Sequence, residues 1–232
     1  RPTHNPIIVH VASLAMARQC AASWTNLADR LAGAFWPGPL TLVLPRSKHI
    51  PPVVTAGGPT VGLRWPNHPL IQAVIAACGF PLAAPSANPS SRLSPTTAAH
   101  VLATLGSRLR LIVDGGPSRV GIESTVIDLS QSPPRLLRPG IITPETLRTL
   151  IPDLVSETAH PSTAGDVSHP LPSPGMLPTH YAPNAPLAVW DWADETELQE
   201  RIARRGLGLN QVYVLAHHSP PLGRVYGRIS WL

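Results

Sequence analysis

Apolar and polar positions along the first 150 residues fall into short runs that alternate between strand and helix periods. PIIVHVA (6–12), LTLVLP (40–45) and TVGLR (60–64) read as strands. Leu27, Leu31, Ala34 and Phe35 fall at helical spacing, and WPGP (36–39) stops that helix. HPLIQAVIAACG (68–79) is helical with Gly79 at its end, and FPLAA (80–84) predicts a buried strand. A polar loop follows, then a helix from Pro95 to about Leu105 with Gly106 beyond it. LRLIVD (109–114), STVIDL (124–129) and RLLR (135–138) continue the strands, and Thr143-Pro144 opens another helix. Several strands have no helix between them, which predicts an α/β (α+β) domain on a mixed sheet over residues 1–151.

From 152 to 186 the periodicity stops, and Pro, Ser, Thr and His dominate, as in a linker. LAVWDW, DETELQERIARR and VYVLAH then read as the first β-α-β of a second unit over 187–232, expected to be incomplete.

Charge sharpens the picture. The first 150 residues carry 13 Lys and Arg against 5 Asp and Glu, whereas residues 151–232 carry 5 against 8. Only Lys48 among the 18 cationic residues is a lysine. An Arg-rich basic half suits an anionic ligand held by bidentate contacts: a nucleotide, a nucleic acid or both. Cys20 and Cys78 lack metal or redox spacing and read as buried thiols in a reducing compartment, so a cytoplasmic location is expected. No apolar stretch reaches the ~18–20 residues of a membrane helix.

The common catalytic signatures are missing from the sequence: no P-loop, no G-x-G-x-x-G after a strand, no H-E-x-x-H and no G-x-S-x-G. Instead, six of the fourteen residues in APSANPSSRLSPTT (84–97) carry hydroxyls, and Arg92 is their sole charge. Ser94-Pro95 reads as an N-cap and first helical residue, and a helix N-terminus suits a phosphate. Taken alone, this loop reads better as a polar turn before a capped helix than as a ligand site. Two further features favour a ligand site: Arg64 and Arg138 close strands, and Ser124-Thr125 opens another. Such a set could act on a polyanion by positioning and electrostatics, without a protein nucleophile.

RPTHNPIIVHV, FWPGPLTLVL, TVGLRWPNHP, PLAAPSANPSSRLSPTT, VDGG, GIESTVIDL and LLRPGIIT, in that order, closely resemble the Sua5/YrdC/YciO family of L-threonylcarbamoyladenylate synthases. The linker SPGMLPTHYAP resembles that of the longer Sua5 type. The resemblance covers about residues 1 to 186. It implies a YrdC-like twisted sheet with flanking helices, then a linker and the start of a small Rossmann-like domain. It implies synthesis of L-threonylcarbamoyl-AMP from L-threonine, bicarbonate and ATP, with Mg²⁺ accompanying the nucleotide and pyrophosphate released. A downstream machinery then transfers the group to A37 of tRNAs reading ANN codons. The family's opening strand, Thr-rich motif and the lysine two residues before Arg1 are not in the sequence, and the chain is expected to be a fragment truncated at both ends and impaired as an enzyme.

The resemblance implies ATP contacts from Arg1, Asn5, Thr60, Ala84, Ser94, Arg138 and Tyr181, and L-threonine contacts from His10, Arg64, Ser86 and Ser124. No protein nucleophile is implied. The plainer alternatives are a half-buried strand histidine for His10, a surface salt bridge for Arg64, a frayed terminus for Arg1 and a tyrosine packed on a Pro-rich strap for Tyr181. The linker is expected to close over the nucleotide as a lid. Asp114, Glu123 and Asp128 are the acids in the middle of the domain, and no Mg²⁺ ligand is assigned among them. Two rival readings are an RNA-binding module, which would use the basic half for weak phosphate contacts, and a carbamoyl-transfer domain of the hydrogenase-maturation type.

Overall fold

In the computed structural model, which describes residues 5–156, 185–216, 221 and 226–231, all but one of the strand-like runs of the first unit join one six-stranded sheet. Its strands are β1 (Val9–His10), β2 (Leu40–Pro45), β3 (Thr60–Arg64), β4 (Leu82–Ala83), β5 (Thr125–Asp128) and β6 (Arg135–Arg138). They lie in the order β4-β1-β3-β2-β5-β6. The β1–β3 and β2–β5 pairs are parallel, and the β1–β4, β2–β3 and β5–β6 pairs antiparallel. The helices are α1 (Leu14–Cys20), α2 (Asn26–Phe35), α3 (Pro69–Cys78), α4 (Ala98–Leu105) and α5 (Pro144–Arg148). Side chains from Ser13, Thr25, Thr97 and Thr143 cap α1, α2, α4 and α5, each accepting a backbone N–H of the first turn.

The two faces of the sheet divide the labour. Val9, Leu40, Leu42, Leu44, Val61, Leu63, Ile127 and Leu136 point to one face and form a core with Ala17, Cys20, Ala28, Leu31 and Leu147. Fully burying each such leucine or isoleucine contributes roughly 1.5–3 kcal/mol. Because side chains alternate along a strand and the registers pair Val9 with Leu63, Leu42 with Leu63 and Leu42 with Ile127, the intervening residues share the other face. That face carries His10, Thr41, Thr60, Gly62, Arg64, Val126 and Arg138. Leu40–Leu44 are buried on both sides, so β2 reads as a continuous apolar run broken only by Thr41.

Several expectations change, and the strand expected over 6–12 is only the two-residue β1. Ser94 does not cap a helix; α4 starts at Ala98, and Thr97 accepts the His100 N–H. Residues 109–114 form no strand: no described strand pairs with them, so the alternating Leu109, Leu111 and Val113 stay exposed. FPLAA yields only the two-residue strand β4 at the sheet edge, half-buried to exposed rather than buried. Cys20 is buried, but Cys78 is exposed at the end of α3.

The chain divides into two units, Arg1–Pro183 and Asn184–Leu232. The second contains α6 (Glu195–Ala203), capped by Asp194, and a parallel pair of strands, β7 (Tyr213–Ala216) and β8 (Arg228–Trp231). Its core is Leu198, Ile202, Val214 and Tyr226. LAVWDW is not a strand here. Trp190 and Trp192 pack on that core while Leu187 and Val189 stay exposed, and the segment has no ladder partner among the described residues. Arg1 and Tyr181, with the expected lid over most of the linker, lie outside the described residues.

Candidate active site

The non-core face of the sheet gathers most of the predicted polar residues of the first unit. His10 on β1 and Arg64 on β3 are direct register partners on parallel strands, so both project from the same face. Arg64 Nε donates to the Gly38 carbonyl at 3.1 Å, which fixes the guanidinium over the chain that follows α2. Burial lowers the Arg64 pKa, and the nearby Glu123 carboxylate partly offsets that. Burial and the positive charge of Arg64 lower the His10 pKa from 6.5 to about 4, so the imidazole is neutral at pH 7. Among the described residues no partner meets its enclosed Nδ1 in hydrogen-bond geometry, nor Oδ1 of the buried Asn5, and the Leu82 and Ile8 backbone offsets only part of the lowering.

A second set is connected atom to atom. Arg138, at the end of β6 and buried, donates through Nε to the Ser124 carbonyl and through Nη2 to Ser124 Oγ, both at 2.9 Å. Ser124 Oγ is 2.8 Å from Thr41 Oγ1 on β2. Glu123 Oε2 lies 3.8 Å from Arg138 Nη2, and Glu123 Oε1 accepts the Ser94 hydroxyl at 2.5 Å. Thus Ser94, Glu123, Arg138, Ser124 and Thr41 form one polar chain from the hydroxyl loop to the sheet centre.

Backbone packing holds this chain in place. A Cβ on Gly140 would lie 2.5 Å from the Thr125 nitrogen and 2.7 Å from the Glu123 carbonyl oxygen, so only glycine lets the segment after Arg138 approach β5 this closely. Thr125 Oγ1 clamps the same turn by donating to the Ile142 carbonyl and accepting the Ile142 N–H. In the hydroxyl loop, Asn88 Nδ2 donates to the Arg92 carbonyl at 2.6 Å and folds the loop back on itself, with Ser91 in the left-handed region at φ 64°.

Beside this chain lies a cavity of about 930 Å³ whose walls include Ser94, His100, Thr104, Ile122, Glu123 and Arg138. Its polar wall is the Ser94–Glu123–Arg138 chain. Leu93 and Ile122 add apolar surface. The remaining predicted residues take other places. Thr60 begins β3 on the same face as Arg64 but at the far end of the strand, roughly 13 Å along at ~3.3 Å per residue. Ala84 is exposed, its N–H bound to the Ile8 carbonyl beside β1, and Ser86 is half-buried two residues further on.

The chemistry such a face offers is binding and charge stabilisation. Of the three acids singled out from the sequence, Glu123 alone lines the cavity. Asp128 is buried and accepts from the Ser130 N–H and hydroxyl, and Asp114 accepts the Gly116 N–H in an exposed turn. Thr41 and Glu123 were not assigned roles from the sequence. The signal for Thr41 is one hydroxyl inside an aliphatic strand, and for Glu123 an acid immediately before a buried Ser-Thr pair.

Residues 1–140 match the Sua5/YciO/YrdC family model, described as telomere recombination, and residues 142–226 match the model of the threonylcarbamoyl-AMP synthase C-terminal domain. The chain belongs to the Sua5/YciO/YrdC family. Among its curated relatives, threonylcarbamoyl-AMP synthase of Pyrococcus abyssi is 43% identical over 82% of this chain and 55% of its own length. That of Bacillus subtilis is 43% identical over 93% of this chain and 61% of its own length. The chain therefore spans 55–61% of these two relatives. A crystal structure of P. abyssi Sua5 complexed with L-threonine superposes with a TM-score of 0.85 at 35% identity, covering 100% of this chain and 67% of that one. The mixed sheet with flanking helices is thus the fold of the Sua5 branch, as the resemblance implied. Among the described residues no helix is long and apolar enough to cross a membrane.

Proposed function

We propose that this protein forms L-threonylcarbamoyl-AMP from L-threonine, bicarbonate and ATP, releasing pyrophosphate, as a cytoplasmic step in tRNA modification. The observation that carries this reading is the pairing of two arginine sites on one sheet face. Arg64 stands beside neutral His10, and Arg138 is locked to Ser124 and linked through Glu123 to Ser94. The names of the relatives and the L-threonine in the P. abyssi structure support the choice of substrates.

Threonine brings a carboxylate, which a guanidinium binds in bidentate fashion. Arg64 takes this role, with His10 kept neutral so that no second cation competes for it. Ser124 and Ser86 bind the rest of the amino acid. Arg138, Ser94 and Thr60 face the nucleotide, with Asn5 and the backbone at Ala84. In the reaction the threonine amine joins bicarbonate with loss of water. An oxygen of the resulting carbamate attacks the α-phosphorus, and the P–O bond to pyrophosphate breaks. Neither step requires a protein nucleophile, so positioning and fixed charge supply the catalysis. No group of three His, Cys, Asp or Glu side chains able to hold a metal exists among the described residues. Glu123 on the cavity wall fits as a single protein ligand for a Mg²⁺ carried by the nucleotide, whose chemistry would be to neutralise phosphate charge. The exposed Arg92, Arg108, Arg110 and Arg119 allow weak contact with an RNA backbone.

Mass spectrometry of a reaction with ATP, L-threonine and ¹³C-bicarbonate tests the proposal. It predicts an adenylate carrying one ¹³C and one threonine. An AMP product without label would contradict it.

A further inference from the structure

We propose that Glu123 makes the cavity select its polyanion as a complex with a divalent cation and reject the metal-free anion. The inference rests on reading the cavity as an ATP site.

Glu123 lies on the same cavity wall as Ser94 and Arg138. Its Oε1 accepts a hydrogen bond from the Ser94 hydroxyl at 2.5 Å, and its Oε2 sits 3.8 Å from Arg138 Nη2. A serine hydroxyl has one proton. While Glu123 holds it, Ser94 turns only lone pairs to the cavity, and it accepts rather than donates. Arg138 meanwhile directs Nε and Nη2 to Ser124 and shares its charge with Glu123. A bare phosphate oxygen arriving at this wall meets a guanidinium whose charge Glu123 already offsets, together with a carboxylate and a hydroxyl lone pair that repel it.

A divalent cation reverses the sign. A hard cation accepts carboxylate, hydroxyl and phosphate oxygens together, and Mg²⁺ characteristically uses one or two protein carboxylates with phosphate and water filling its other positions. Glu123 is the one cavity-lining acid among the described residues, and Asp114 and Asp128 are engaged in their own turns elsewhere. It therefore discriminates between the two charge states of the ligand rather than building a cage for a resident ion.

Isothermal titration of ATP into the protein, once with Mg²⁺ and once with EDTA, tests this. The wild type should bind the Mg²⁺ complex at least tenfold more tightly than free ATP. E123Q, which keeps the side-chain size and an acceptor for Ser94, should bind free ATP at least fivefold more tightly than wild type and bring the ratio near one. E123D, which keeps the charge, should retain the preference for the complex. An unchanged ratio in E123Q, or equal weakening of both forms, would assign Glu123 a structural role and overturn the inference. Wild-type binding of both forms with equal affinity would overturn it while leaving the ATP reading intact. Binding of neither form would overturn both.

Discussion

Oγ of Ser94 and Oε1 of Glu123, 29 residues apart in the chain, lie 2.5 Å apart on the cavity wall. A short O–H···O⁻ contact of this kind is charge-assisted and roughly twice as strong as a neutral one. It ties the hydroxyl loop to the segment that leads into β5. Ser94→Ala should therefore lower stability by about 1.5 kcal/mol, the low end for a bond to a charged and partly exposed partner. The helix content of α4 should not change, because Thr97 caps it. Urea denaturation and far-UV circular dichroism check both parts, and a loss of helix would return Ser94 to a capping role.

Arg64→Ala should weaken L-threonine by about 10- to 100-fold, the equivalent of ~1.5–3 kcal/mol for a charge-assisted contact. ATP affinity should change far less. Direct titration of each ligand decides it, and equal losses for both would show that Arg64 does not read the amino acid.

Gly140→Ala pushes a methyl group into the Thr125 nitrogen and the Glu123 carbonyl. Neither is the flexible end of a side chain, so β5 and the turn after Arg138 must separate. The expected cost is about 1–3 kcal/mol, read as a lower denaturation midpoint, with a parallel loss of ATP binding as Arg138 shifts. Wild-type stability would mean that this turn yields without strain.

Burial and the charge of Arg64 lower the His10 pKa to about 4 in the folded protein, against 6.5 for an unperturbed histidine. Between those values the unfolded chain binds the proton and the folded one does not, so stability rises with pH across that window and is lost on acidification toward 4. His10→Gln should flatten this part of the stability profile, by on the order of 2 kcal/mol between pH 6.5 and 4. An unaltered slope would show that another group titrates there.

Much of the sheet was legible because β2 and β3 have strong, bounded apolar runs, and because Arg64 and Arg138 stand at strand ends in the sequence itself. The misread strands share one physical cause. A strand is defined by its partner, so LRLIVD and LAVWDW, which carry strand-like residues, form no ladder where no described strand lies beside them. Ser94-Pro95 fits a helix start by composition, yet the Ser94 hydroxyl donates to the Glu123 carboxylate, and the helix begins at Ala98 with Thr97 as its cap. Glu123 itself was readable only as an acid near Ser124. Its link to residues 94 and 138 depends on tertiary contacts that no local spacing encodes.

The central claim is an adenylate-forming reaction that needs threonine. Pyrophosphate release by the full polypeptide, measured with ATP, Mg²⁺ and bicarbonate in the presence and absence of L-threonine, tests it most directly. The account predicts release that depends on threonine and bicarbonate together and falls at least tenfold in Arg138→Ala. Release that is indifferent to threonine, or none with all three substrates present, would contradict it.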